Sequence, residues 1–156
     1  MKRSAHLQPL SRQHHNGLLA ALLLGKGLKK GASLQVMATF IVYMWERDLQ
    51  SHFEQEEEIL IPALQNTSLD PALTQQLLKD HRDLRSLVQQ MQHENYGSDD
   101  IASFASLLEQ HIRFEERIYF PEAEKVLSVE VLEQIGELLH EDPSENCMNY
   151  PVKFWE

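Results

Sequence analysis

The strongest constraint on this chain is a segment that occurs twice. His52-Phe53-Glu54-Gln55-Glu56-Glu57-Glu58-Ile59-Leu60-Ile61-Pro62 returns 59 residues later as His111-Ile112-Arg113-Phe114-Glu115-Glu116-Arg117-Ile118-Tyr119-Phe120-Pro121. Both copies share the histidine, a Glu-Glu pair four and five residues on, an isoleucine, an apolar residue and a closing proline. Each copy is preceded by a stretch with a histidine near its start. His81 is followed by Leu84, Leu87 and Val88, and His15 by Leu18, Ala21 and Leu22, at matching spacings. The chain therefore reads as His, His-x-x-x-Glu, His, His-x-x-x-Glu, one set per helix.

Apolar periodicity predicts four long helices separated by short breaks. The first begins at Ser11 as N-cap and runs to Lys30, where Gly31 stops it. The second runs from Ser33 to Ile61, where Pro62 ends or kinks it. The third opens at Asp70-Pro71 and fades at Asn95-Tyr96-Gly97. The fourth opens at Ser98-Asp99-Asp100 and meets Pro121. A short fifth helix fits Val129 to Leu139, capped by Ser128. The fold class expected is all-α: an up-down-up-down four-helix bundle over residues 1–142 with a short C-terminal fifth helix, then an irregular tail over 143–156. No strand pairs or hairpin turns are visible.

The His-x-x-x-Glu spacing has a physical meaning. Residues i and i+4 of a helix lie about 40° apart, so His52 and Glu56 share a face, as do His111 and Glu115. Apolar neighbours (Phe104, Leu107, Leu108, Ile112, Ile118) turn that face inward. Isolated buried carboxylates are costly. Carboxylates and imidazoles converging on one interior need a common partner, and metal cations supply it. Imidazole and carboxylate without thiolate suit iron, manganese or zinc, with iron the best fit to paired octahedral sites. A carboxylate from each half can bridge two ions, with two histidines on each ion.

His14 and His15 are adjacent and point about 100° apart, so only one faces the interior. His15 shares the register of His81 and is taken as the ligand, with His14 the alternative. Glu57 and Glu116 are assigned to the flank of the site, and Glu54 and Glu58 to a solvated face. His6, His93, the single Glu137-x-x-His140 and a surface thiol at Cys147 carry no assignment. Tyr43 and Trp45 are read as core.

With these residues in place, the sequence resembles the hemerythrin-like family, the HHE cation-binding domain, over roughly Leu10 to Glu124. The two His-x-x-x-Glu-Glu segments ending in proline carry the resemblance. It implies a four-helix bundle around two iron ions, oxo- or hydroxo-bridged. His15, His52, His81 and His111 would be terminal ligands, and Glu56 and Glu115 bridges. Oxygen-carrying members place a second histidine one turn after that of the third helix, and an aspartate on the fourth. Here those positions hold Arg85 and Glu115. The change moves the expectation from reversible oxygen carriage towards an open coordination position.

Composition narrows the function classes. The net charge of -10 disfavours nucleic acid and anionic membrane surfaces as partners. The longest apolar run, Leu18 to Leu24, is far short of the roughly 20 residues that span a bilayer. One cysteine rules out a disulfide framework within the chain. The expectation is a cytoplasmic protein that binds or senses oxygen, nitric oxide or iron, taking a diatomic ligand or peroxide. Any signal would pass to a homodimer or another protein partner. The alternative is a di-iron redox enzyme, consuming peroxide or repairing iron centres. No nucleophile motif is present and no catalytic residue is assigned. A metal-free interaction bundle is disfavoured by the complete ligand set.

Overall fold

The computed structural model describes residues 3–140 and 145–156. Those residues are all-helical, with no strand. Helix α1 spans Gln8–Lys29. Helix α2 is a continuous rod over 34–64, α3 spans Pro71–Gln92, α4 is a second rod over 98–126, and α5 spans Val129–Leu138. Two of the expected caps form, at Asp70 and Ser128, and Ser33 caps α2 as well. The side chains of Ser33, Asp70 and Ser128 accept from the backbone N–H groups of Val36, Ala72 and Val131. Gly31 ends α1 at φ +68°, a left-handed conformation that other residues adopt at a cost.

The ends of the helices refine the reading in two places. Ser11 is not the cap of α1, which starts at Gln8 with Pro9 in its first turn, where a missing N–H costs nothing. The Ser11 hydroxyl instead donates to Glu116 Oε2 at 3.1 Å. Nor do Pro62 and Pro121 end their helices. In each rod the turn before the proline widens, over Glu56–Leu60 and Glu115–Tyr119, and regular helix resumes as Ile61–Leu64 and Phe120–Val126. The Ile61 N–H reaches back five residues to the Glu56 carbonyl, and the Phe120 N–H to that of Glu115. A proline ring collides with the carbonyl four residues earlier in a regular helix. A five-residue turn relieves that collision without stopping the rod. Such turns are frequent at functional sites, and here each begins on the glutamate of a His-x-x-x-Glu motif. A third wide turn, Trp45–Leu49, has no counterpart in α4.

α1 packs on α4, α2 on α3, and α3 on α4. Along α1 and α4 the contacts run in opposite chain order, from Arg3 with Glu124 through Ser11 with Glu116 to Gly17 against Ile112. Two apolar clusters form. One holds Leu23, Met37, Phe40, Phe53, Leu84, Val88 and Phe104; the other holds Leu10, Leu60, Leu77, Tyr119 and Phe120. The buried histidines and glutamates come from the stretches of α1–α4 that join them.

Residues 145–156 lack regular structure apart from one short turn at Cys147–Asn149, but they are packed against the helices. Phe154 and Trp155 are buried and pack beside Phe40, with Phe154 5.0 Å from it between ring centres. The Cys147 N–H donates to Asn16 Oδ1 at 2.8 Å. Cys147 is therefore a buried thiol rather than a surface one, and burial pushes its pKa up to about 11. The boundary expected between 142 and 143 lies outside the described residues.

Candidate metal centre

The widened turns and the i, i+4 spacing aim His52 and Glu56 from α2, and His111 and Glu115 from α4, at one interior point. His81 joins them from α3. From α1 the partner is His14, which is buried, whereas His15 is exposed. His15 borders an outer surface groove with Leu18, Leu22 and Glu109. The structure thus brings His14, and not the expected His15, together with the other five residues. The buried stripe of α1 is Leu10, His14, Gly17, Ala21 and Leu24. That of α3 is Leu77, His81, Leu84, Val88 and Met91, at identical spacing. Matching on Leu18 and Leu22 followed an apolar outer face of α1, where Leu22 is 55% exposed.

Two groups of ligand atoms lie within 4.8 Å of one another, His14, His52, Glu56 and Glu115 in one, Glu56, His81 and His111 in the other. Glu56 Oε1 is 3.4 Å from His52 Nε2 and 3.2 Å from His81 Nε2. Glu115 Oε1 is 3.1 Å from His14 Nε2 and 3.0 Å from His111 Nε2. Each carboxylate thus touches at least one histidine of each pair, and Glu115 Oε1 also lies 3.9 Å from His52 Nε2.

Every imidazole is held from behind. The Nδ1 atoms face acceptors: His14 to Glu116 at 2.7 Å, His52 to Gln13 at 2.5 Å, His81 to Glu57 at 2.6 Å and His111 to Asp80 at 2.9 Å. A backing acceptor fixes ring orientation and leaves Nε2 for a ligand. Phe53 stacks on His81 at 3.9 Å between centroids, and Phe120 on His14 at 5.5 Å. Glu57 and Glu116, expected on the flank, are two of these acceptors. Arg85 Nη1 lies 2.7 Å from Glu57, and Arg3 Nη2 3.2 Å from Glu116. Arg85 therefore anchors a carboxylate behind the site and does not oppose cations within it.

Asp80 and Gln13 were not picked out by spacing. Each directly precedes its helix-start histidine, and Asp80 sits on the buried face of α3, three residues after Leu77 and four before Leu84. A charged residue on an otherwise apolar stripe was the available signal.

The inward atoms satisfy one another only in part: His14 Nε2 lies 3.1 Å from both His52 Nε2 and Glu115 Oε1, and five others have no partner. Both oxygens of Glu56, Glu115 Oε2, His81 Nε2 and His111 Nε2 are buried without a hydrogen-bond partner. His81 Nε2 and Glu56 Oε1 are close, but not aligned as donor and acceptor. Each orphaned group costs about 1–3 kcal/mol. Glu56 and Glu115 are both 0% exposed, so solvent offers no compensation. A cation among these atoms would satisfy them together, so the residues fit a bound metal.

Electrostatics agrees. Burial pulls the imidazole pKa values down, but the carboxylates outweigh it. His52 is held up at about 10, chiefly by the charge of Glu56, and His111 at about 10, chiefly by that of Glu115. His14 and His81 are raised against the same burial by their glutamate partners. Burial raises the Glu115 carboxyl, yet His111 and its other partners hold it well below the usual range. Without a metal, protons on the imidazoles balance the carboxylates, and a metal competes with those protons.

Beside His14, His52, His111 and Glu115 lies a void of about 10 Å³, walled also by Gly17, Asp48 and Phe53. That is close to the smallest space that holds one water-sized molecule. Asp48 reaches the wall from the third wide turn and accepts from Asn16 Nδ2 at 2.8 Å.

A family model, that of the hemerythrin HHE cation-binding domain, matches residues 7–123. Comparison with curated proteins and with solved structures gave no match. No helix among the described residues is long and apolar enough to cross a membrane. The chain belongs to the hemerythrin HHE cation-binding domain family.

Proposed function

We propose that this chain is an up-down-up-down four-helix bundle that binds two iron ions and uses them to bind or sense a small molecule such as oxygen or nitric oxide. His14 and His52 would hold one ion and His81 and His111 the other, with Glu56 and Glu115 shared. The observation that carries this reading is the crossed contact pattern, in which each carboxylate reaches one histidine of each pair. Bound iron supplies one-electron chemistry and coordination positions for exogenous ligands. Manganese and zinc fit the same donors.

The chain's own contribution is orientation and exclusion. Four backing acceptors fix the imidazoles, Phe53 and Phe120 cover two of them, and the apolar clusters keep bulk water away. The small void beside His14, His52, His111 and Glu115 is where we place an incoming diatomic molecule or peroxide. We place the protein in the cytoplasm, with signalling output through a second copy or another protein.

A second reading, a peroxide-consuming redox enzyme, is favoured by Asp48. Burial raises the proton affinity of its carboxyl, which sits at the wall of the void and could supply protons there. Optical spectroscopy of the ferrous protein separates the two. Stable adducts with oxygen or nitric oxide support binding, and steady peroxide turnover selects the enzyme. Spectra unchanged by all three ligands would contradict both.

A further inference from the structure

One histidine of each pair is backed in almost the same way. Glu116 with Arg3 stands behind His14, and Glu57 with Arg85 behind His81. Each couple is one carboxylate neutralised by one guanidinium. The remaining two histidines differ. His111 Nδ1 donates to the Asp80 carboxylate, while His52 Nδ1 donates to the Gln13 amide.

Both acceptors are fixed in orientation. Asp80 Oδ1 accepts from Gln76 Nε2 at 2.8 Å, leaving Oδ2 for His111. Gln13 Nε2 donates to the His140 carbonyl at 3.4 Å, which turns Oε1 towards His52. Asp80 is 5% exposed, so its charge is little screened. An imidazole backed by a carboxylate is a better metal donor than one backed by a neutral amide. The His81–His111 pair also lies deeper, at 0% and 1% exposure against 4% for both His14 and His52.

Resting on the two-metal reading above, we propose that the two positions are unequal: the His81–His111 position fills first and binds more tightly. Asp80 is the positioning residue that sets this order, and Gln13 is its neutral counterpart. The looser ion then has both its histidines, His14 and His52, on the void where an incoming small molecule arrives, whereas of the tighter pair His111 alone borders it.

The test is a cobalt(II) titration of the metal-free full-length chain, read by visible absorption and by competition with a chelator. Two cobalt ions should bind in two phases separated by about tenfold or more in affinity. Asp80→Asn should weaken the tighter phase by about 10–100-fold and change its visible spectrum. Gln13→Glu should strengthen the weaker phase, closing the gap from the other side. A thermal melt of each metal-free variant checks folding. If Asp80→Asn fails to fold, Gln13→Glu decides alone. Two ions bound with one undivided affinity, or a separation untouched by the substitutions, would overturn the ordering while leaving the two-metal reading intact. Fewer than two ions in the wild-type chain would overturn that reading and the ordering with it.

Discussion

The two halves of this molecule carry the same histidine and glutamate set on different supports. In the α3–α4 half, the residue three positions after the helix-start histidine is Leu84, and α4 runs as regular helix from Ser98 to Phe114. In the α1–α2 half the corresponding position is Gly17, and α2 carries the additional wide turn at Trp45–Leu49. The first change lets the Ile112 side chain close in on α1 and the second brings Asp48 to the wall, so the void is lined mainly from the α1–α2 half, with His111 and Glu115 of α4 also bordering it. A repeat can thus keep its ligands while small changes one turn away make one side open and the other closed.

The largest expected effect tests what the halves share. Glu56→Ala and Glu115→Ala should each lose both ions, because each carboxylate reaches both pairs. Breaking a buried charge network by removing one partner costs about 3–5 kcal/mol, so melting temperatures should fall sharply. Metal content measured beside the melt checks this; retention of one firmly held ion by either variant would show that the carboxylates are not shared. A smaller effect separates the neighbours on α1. His14→Ala should release the ion of its own half, while His15→Ala should keep full metal content and shift stability by no more than about 0.5 kcal/mol. The reverse outcome would restore His15 as the ligand.

That second comparison also marks how far the sequence could be read. The duplicated motif named His52, Glu56, His81, His111 and Glu115, all of which converge, because i, i+4 spacing leaves a helix little choice of face. It misplaced the first histidine because α1 is apolar on its outer face as well as its inner one, and Leu18 and Leu22 imitate the pattern of Leu84 and Val88. The prolines left an end or a kink open for a different reason: a widened turn lets a helix pass a proline, and nothing local in the sequence distinguishes that from a stop. The backing acceptors Gln13 and Asp80 pair across helices, so no spacing within one helix reveals them. Burial of the tail likewise depends on Phe40, far away in the chain.

Dependence on pH should differ between the metal-free and metal-loaded chain. In the metal-free state His52 and His111 rise from 6.5 to about 10. Their contribution to stability is complete below about pH 6.5 and is lost as pH rises through 10. Glu57 moves the other way, from 4.5 to about 2, where His81 and Arg85 outweigh burial. Its contribution is present above 4.5 and lost as pH falls through 2. The metal-free chain should be most stable between about pH 4.5 and 6.5. Metal affinity should instead climb towards alkaline pH, because metal displaces the histidine protons. Melts and metal titrations across this range test both; an affinity independent of pH would mean that no proton is displaced.

The smallest effect concerns the open side. A Cβ at Gly17 would lie 2.8 Å from Ile112 Cδ1, the tip of a flexible side chain. Gly17→Ala should cost about 1 kcal/mol, keep both ions and weaken nitric oxide binding by narrowing the void. Unchanged ligand affinity in that variant would place the entry elsewhere.

The most direct test of the central claim is the iron content of the chain purified after expression with ample iron. Two shared carboxylates and two histidine pairs predict about two iron ions per chain. A content of about one or below, in protein that is folded by its thermal melt, would contradict the paired centre.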